Sequence, residues 1–258
     1  MFEQVSFDKL RKIHSQNYDE DLILTEILRK LNITKGNAVE LMGGDGIECN
    51  ISRLALNGWQ CIIFDGNQHK IDEGTKFWKE FPSDFRPALV NAWITRENVY
   101  DLVRTHLSKA LDDIDVLSLD MDGMDYWILK ELYEKDVRPK VLILEIQEMW
   151  TDQECLTLEY NSTFYTNRPE ESGCSLLAFM KLLENDYKLV ACIAKGFNVF
   201  LIRKDVDPDA RLFGEMNPKE CFKHHYGHFK NIMQWRRENV KQNKGVGKWI
   251  NPNDSHNE

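Results

Sequence analysis

The sequence has no CxxC pair, no run of 18 apolar residues and no surplus of basic residues, and each absence narrows the function. The six cysteines, Cys49, Cys61, Cys155, Cys174, Cys192 and Cys221, show no zinc-ligand spacing. They read as reduced, mostly buried thiols of a cytosolic protein. Without a long apolar stretch there is no candidate membrane helix, and Met1-Phe-Glu-Gln-Val has none of the features of a signal peptide, so a soluble, cytoplasmic chain with no membrane partner is expected. A net charge of -9 argues against a general nucleic-acid binder, which needs a basic face, although a local basic patch is compatible with that total. Internal repeats and low-complexity tracts are also missing. What remains is 258 residues of ordinary apolar content, enough for one α/β domain with extensions.

The most informative stretch is Asn37-Ala-Val-Glu-Leu-Met-Gly-Gly-Asp-Gly46, followed by Cys61-Ile-Ile-Phe-Asp-Gly66. It reads as a strand, a glycine-rich turn, a helix and a second strand ending in an acid. Gly43, Gly44 and Gly46 allow a tight turn and a close approach of backbone to ligand. Asp65 lies 19 residues beyond Gly46, near the distance at which a carboxylate meets the ribose hydroxyls of a bound nucleotide. A glycine cluster alone is equally the mark of an ordinary turn; the acid at the end of the next strand favours a nucleoside cofactor.

Apolar periodicity predicts two short helices in residues 7–32, then strands at 38–42, 60–65, 88–94, 114–120 and 140–147 alternating with helices at 47–56, 68–80, 97–111 and 126–133. Near-continuous Val/Ile/Leu strands alternating with helices imply a parallel sheet covered on both faces. A helix at 173–185 precedes strands at 188–194 and 198–203, joined by Lys195-Gly-Phe197. So short a connection makes a hairpin, since a parallel crossover needs a dozen residues. The expected fold is therefore α/β and Rossmann-like, of the class I methyltransferase type: a seven-stranded, mostly parallel sheet with a C-terminal antiparallel hairpin and helices on both faces. Residues 1–32 form an N-terminal helical extension, 33–204 the core, and 205–258 a C-terminal extension with one helix at 218–240. Within the core, residues 148–172 are polar and aperiodic and read as a lid over the ligand edge of the sheet.

The densest acid group is Asp120-Met-Asp122-Gly-Met-Asp125, between the fourth strand and the next helix. Three neighbouring carboxylates repel one another, so a cation, a ligand or helix capping must account for them. Capping is the readiest account of Asp125. Glu145 ends the very apolar fifth strand, where a carboxylate is costly unless paired or liganded, and in this strand order it can face Asp120 and Asp122. Such a group can hold a cofactor's amino group, deprotonate a substrate hydroxyl, or ligate a hard divalent ion such as Mg²⁺.

The runs Val39-Glu-Leu-Met-Gly-Gly-Asp-Gly-Ile-Glu-Cys-Asn50, Asn57-Gly-Trp59, Phe64-Asp-Gly66, Thr95-Arg-Glu-Asn-Val99 and Ile114–Trp127 together carry a resemblance. Arg138–Glu145, Gly173-Cys-Ser-Leu-Leu177 and Asn198-Val-Phe-Leu-Ile202 extend it. In this order, over residues 37–204, the chain resembles the FkbM-like group of S-adenosylmethionine-dependent methyltransferases. The resemblance implies O-methylation of a sugar, glycan or natural-product-like molecule. It places Glu40, Gly43, Gly44, Asp45 and Gly46 on the methionine side of the cofactor, Asp65 and Gly66 at the ribose, and Asp120 beside the transferred methyl. Asp122, Asp125 and Glu145 become the candidate catalytic acids, acting as base or as metal ligands. One departure is Met42, which stands where the first glycine of the usual turn belongs.

Other features weigh less. Trp93, Trp127 and Trp150 suit core packing more readily than ligand stacking. His224 and His228 share a helix face but lack the glutamate of a zincin, so a structural or surface role is expected for them. Trp235-Arg-Arg237 and Lys241–Lys248 read as a solvated end. A small-molecule or glycan acceptor is the expected partner, with the oligomeric state open. The competing reading is a methyltransferase-like fold without catalysis, serving as a binding or assembly module, for which Met42 is the main argument. A nicotinamide enzyme is disfavoured by the hairpin and the incomplete GxGxxG, and a nucleic-acid methyltransferase by the absent Asn/Asp-Pro-Pro-aromatic tetrad.

Overall fold

A computed structural model describes residues 5–17, 19–107, 114–193, 197–242 and 247–254, and for 223–229 the course of the helix only. Its main sheet has seven strands in the order β3-β2-β1-β4-β5-β8-β7, with β1 Asn37–Leu41, β2 Gln60–Asp65, β3 Ala88–Asn91, β4 Ile114–Leu119, β5 Val141–Glu145, β7 Tyr187–Cys192 and β8 Asn198–Arg203. The expected fold is thus the one observed: mixed α/β, mostly parallel, with the hairpin strand β8 inserted beside β5. A second, two-stranded antiparallel sheet joins β6 Thr157–Leu158 to β9 Trp249–Ile250, which periodicity did not reveal.

The chain divides into two compact units, residues up to 119 with 135–142, and residues 120–134 with 143 onward. In the first, β1 pairs in parallel with β2 and β4, and β2 with β3, so that Glu40 is level with Ile63 and Ser118. All five residues of β1 and all six of β4 are buried, as strands covered on both faces require. The helices are α1 Phe7–Leu10, α2 Asp19–Lys30, α3 Ser52–Leu56, α4 Gln68–Trp78 and α5 Val99–His106. Asn67 caps α4, its Oδ1 accepting from the amides of His69 and Lys70. The N-terminal residues are stitched to this unit: His14 donates its amide to Ile47, Arg53 donates to Ile13, and Ile13 packs on Trp78 and Phe81.

The helix expected over 47–56 is confined to Ser52–Leu56. Residues 46–51 instead follow side-chain acceptors: Asp45 Oδ1 takes the Ile47 amide, and the Glu40 carboxylate takes those of Asn50 and Ile51. The C-terminal part of the helix expected over 97–111, the last residue of the strand expected over 188–194, and residues 195 and 196 of the connection lie outside the described residues.

The second unit holds α6 Asp125–Glu134, α7 Leu176–Leu183, α8 Pro218–Lys241 and the β7–β8 hairpin. Ser175 caps α7, and Asn217 caps α8 ahead of Pro218. The segment 148–172 is bound to the tail. Besides the β6–β9 ladder, the Glu159 amide donates to the Lys248 carbonyl, the Lys248 ammonium pairs with the Glu159 carboxylate, and Gly247 donates to Glu171. Arg236 of α8 pairs with Glu148 at 2.6 Å, both nearly buried.

Candidate functional site

In the first unit the chain leaves β1 through Met42 and turns on Gly43–Gly46. Gly43 donates to the Phe64 carbonyl, which fastens the turn to β2. A side-chain carbon on Gly43 would lie 2.5 Å from Ile63 Cγ2, and one on Gly74 of α4 would lie 2.1 Å from the Asp45 carbonyl. Close packing therefore demands glycine on both sides of the turn. Met42 itself has φ 66°, a left-handed conformation that suits glycine and costs an L-residue about 1 kcal/mol. Methionine thus occupies the glycine position in a glycine conformation.

Two acids brace this turn. Asp65, 2% exposed, accepts from the Gly44 amide through Oδ2 at 2.9 Å and from the Asn67 amide through Oδ1 at 2.7 Å. Each oxygen retains a lone pair, so the carboxylate can accept two more donors, as a ribose diol would supply. Glu40 is buried, and its oxygens accept from Asn50 at 3.0 Å and Ile51 at 2.9 Å at the start of α3. Burial raises its pKa to about 7 despite those amides. Gly66 follows, with the indole of Trp93 so close that a side-chain carbon on Gly66 would come within 2.9 Å of it. Trp93 keeps 44% of its surface exposed. Lys70, which sequence patterning did not single out, brings Nζ within 3.6 Å of the position a side-chain carbon on Gly44 would take. Only α4's docking on the turn reveals it.

The second unit carries the acid group. Asp120, Asp122 and Glu145 each offer an oxygen within 4.8 Å of the others. Asp122 is exposed and has φ 50°, with Gly123 at φ 123°. Glu145 Oε2 is buried without a hydrogen-bond partner. Burial, then the charges of Asp120, Asp125 and Asp122, push the Glu145 pKa well above the usual carboxylate range. Asp125 turns inward: fully buried, it accepts from Met121 at 2.8 Å and Gly123 at 2.9 Å, and so holds the 121–124 loop. Burial and the Asp120 charge raise its pKa to about 7.

Of the three tryptophans, Trp127 and Trp150 are buried. Trp127 Nε1 donates to the Leu158 carbonyl, and Trp150 stacks edge-on with Trp249. Trp93 alone of the three is exposed. The side chains of His224 and His228 lie outside the described residues. None of the helices among the described residues is long and apolar enough to cross a membrane.

No family model matches the chain, so the FkbM-like resemblance stands without that support, and no curated protein matches it. Solved structures do. One is monomeric WbdD, at 18% identity and a TM-score of 0.44, covering 73% of this chain and 41% of that one. The glycopeptide N-methyltransferase MtfA matches at 14% and 0.44, over 75% of this chain and 94% of that one. An O-methyltransferase from Bacillus cereus, solved with S-adenosylhomocysteine, matches at 13% and 0.44, over 71% and 79%. The chain spans less than half the length of the WbdD chain. These likenesses are distant, and the fold rests on the strand order described above.

Proposed function

We propose that the chain is an S-adenosylmethionine-dependent methyltransferase acting on a hydroxyl of a sugar, glycan or small natural-product-like molecule. The observation that carries this reading is the braced turn: a glycine loop after β1, held by a buried acid at the end of β2 whose carboxylate keeps acceptor capacity for a ribose. When bound, the cofactor supplies an electrophilic sulfonium methyl. Asp65 would accept its ribose hydroxyls, Gly66 and Trp93 would flank its nucleoside, and Asp45 and the backbone of Gly43–Gly46 would face its methionine end. Glu40 supports that end by fixing the start of α3. Lys70 supplies the positive charge that a carboxylate there requires.

Transfer to oxygen also needs a group that takes the hydroxyl proton or lowers its pKa. Asp120, Asp122 and Glu145 fit a hard divalent ion such as Mg²⁺, because each offers an oxygen within 4.8 Å of the others and the Glu145 carboxylate carries a buried oxygen without a hydrogen-bond partner. There the ion would acidify and orient an acceptor hydroxyl. Without it, Glu145, its pKa raised, would itself accept the proton. Asp125 is a positioning residue in either case, since both its oxygens are engaged with loop amides.

Calorimetric titration with S-adenosylhomocysteine, with and without Mg²⁺, tests this function. Micromolar or tighter binding is expected, unchanged in Asp122→Asn, whereas methyl transfer to a panel of sugar and small-molecule hydroxyls is lost in that variant. Absence of binding under both conditions would transfer the assignment to the non-catalytic module, which Met42 favours by bringing a long side chain into the turn.

A further inference from the structure

Glu171 closes the single-turn helix Pro169–Glu171 of the second unit and is buried. Both its carboxylate oxygens are engaged: Oε1 accepts the Gly247 amide of the tail, and Oε2 accepts the Thr166 hydroxyl. Its backbone carbonyl meets the acid loop. A side-chain carbon on Gly123 would lie 2.5 Å from that oxygen, 2.7 Å from Phe164 Cε1 and 2.9 Å from Leu158 Cδ1. Gly247 rests on the same three residues, since a side-chain carbon there would lie 3.0 Å from Leu158 Cδ2, 3.5 Å from Phe164 Cε2 and 3.7 Å from Glu171 Oε1. Leu158, Phe164 and Glu171 are thus shared between the loop that carries Asp122 and the tail. Gln147 fixes the base of this segment, its Nε2 donating to the carbonyls of Pro169 at 2.7 Å and Ser172 at 3.0 Å.

We propose that Glu171 is a positioning residue for Asp122, and that the tail, through Gly247, completes the acceptor end of the site. This rests on the methyltransferase reading above. Asp122 at φ 50° and Gly123 at φ 123° hold a left-handed backbone that disfavours an L-residue and persists only where the surroundings impose it. Asp125 imposes it through the amides of Met121 and Gly123. Glu171 adds the second constraint, because its carbonyl packs on the residue that follows Asp122. The tail amide and the Thr166 hydroxyl hold the Glu171 carboxylate, and so hold that carbonyl in place. Glu171 itself exchanges no proton with the acceptor. Its contribution is the placement of Asp122, where an error of about 1 Å can cost on the order of a hundredfold in rate.

The test compares Glu171→Ala, Glu171→Gln and Gly247→Ala with the wild type, each as the full chain. S-adenosylhomocysteine affinity, methyl transfer to the panel of hydroxyl acceptors, and chymotryptic cleavage after Tyr165, 80% exposed on the same segment, are measured together. In Glu171→Ala the affinity should stay within about twofold of wild type, while kcat falls about ten- to a hundredfold. Cleavage after Tyr165 should accelerate at least about tenfold as the segment opens more often. Glu171→Gln keeps an acceptor for the Gly247 amide and should recover most of both changes, which a proton-transferring carboxylate would not. Gly247→Ala retains the carboxylate but crowds Leu158, so a severalfold lower kcat at unchanged affinity is expected, and it decides the matter where Glu171→Ala does not fold. A wild-type kcat in the folded variants, or a loss in Glu171→Gln as large as in Glu171→Ala, overturns the positioning role and leaves the methyltransferase reading intact. A wild type that binds no S-adenosylhomocysteine overturns that reading, and the positioning role with it.

Discussion

Asp65 and Gly44 are joined by a 2.9 Å hydrogen bond from the glycine amide to carboxylate Oδ2, so the acid proposed for the ribose also holds the loop. The same carboxylate fixes Asn67, the cap of α4. One side chain thereby sets the shape of the turn and the start of the helix that packs on it.

Asp65→Ala is therefore expected to weaken S-adenosylhomocysteine binding at least tenfold and to lower stability by about 1–2 kcal/mol, since the half-buried Gly44 amide and the Asn67 amide lose their acceptor. Titration calorimetry and urea unfolding measure the two effects. A variant that lost stability but kept full affinity would confine Asp65 to the loop.

Met42→Gly should raise stability by up to about 1 kcal/mol, because glycine adopts φ 66° without the Cβ clash. Met42→Val should lower it further than any loss of contacts accounts for, as a β-branched residue tolerates that conformation worst. Comparison of urea midpoints decides the sign.

Glu145→Gln removes a charge from a buried and partly orphaned site, so the ion-free protein should melt at a higher temperature than wild type. The same substitution should abolish any increase in Tm caused by Mg²⁺ or Mn²⁺, as should Asp120→Asn. Thermal melts with and without the ion, compared across the three proteins, check both directions at once. An undiminished response in both variants would remove the acids as ligands.

Stability should also carry the signature of Glu40. Its pKa rises from 4.5 to about 7 on folding, so the folded state binds the extra proton. The stabilisation is complete below about pH 4.5 and is lost as pH rises through 7. Relative to Glu40→Gln, the wild type should lose on the order of 2–3 kcal/mol between pH 5 and pH 8. Unfolding free energies at four or five pH values measure this difference directly.

Most of the sheet was legible because its strands are apolar runs with distinct ends: β2 and β8 begin and end where the pattern predicts. α3 was not, since residues 46–51 obey the carboxylates of Asp45 and Glu40, which periodicity does not register. β6 and β9 are two residues each and carry no period. In the candidate site, the meeting of Asp120, Asp122 and Glu145 followed from strand order. The inward turn of Asp125 did not, because sequence gives a carboxylate's place but not its direction.

The pairing of Thr157 with Ile250 has a consequence for how the protein is made. During synthesis the segment around Thr157 leaves the ribosome long before its partner strand exists, and its edge must wait for some ninety further residues to emerge. Long-range pairings of this kind form late. The glycine turn and β1–β4 can be assembled while the β6–β9 ladder is still incomplete, so the last step of folding is the one that fastens residues 148–172.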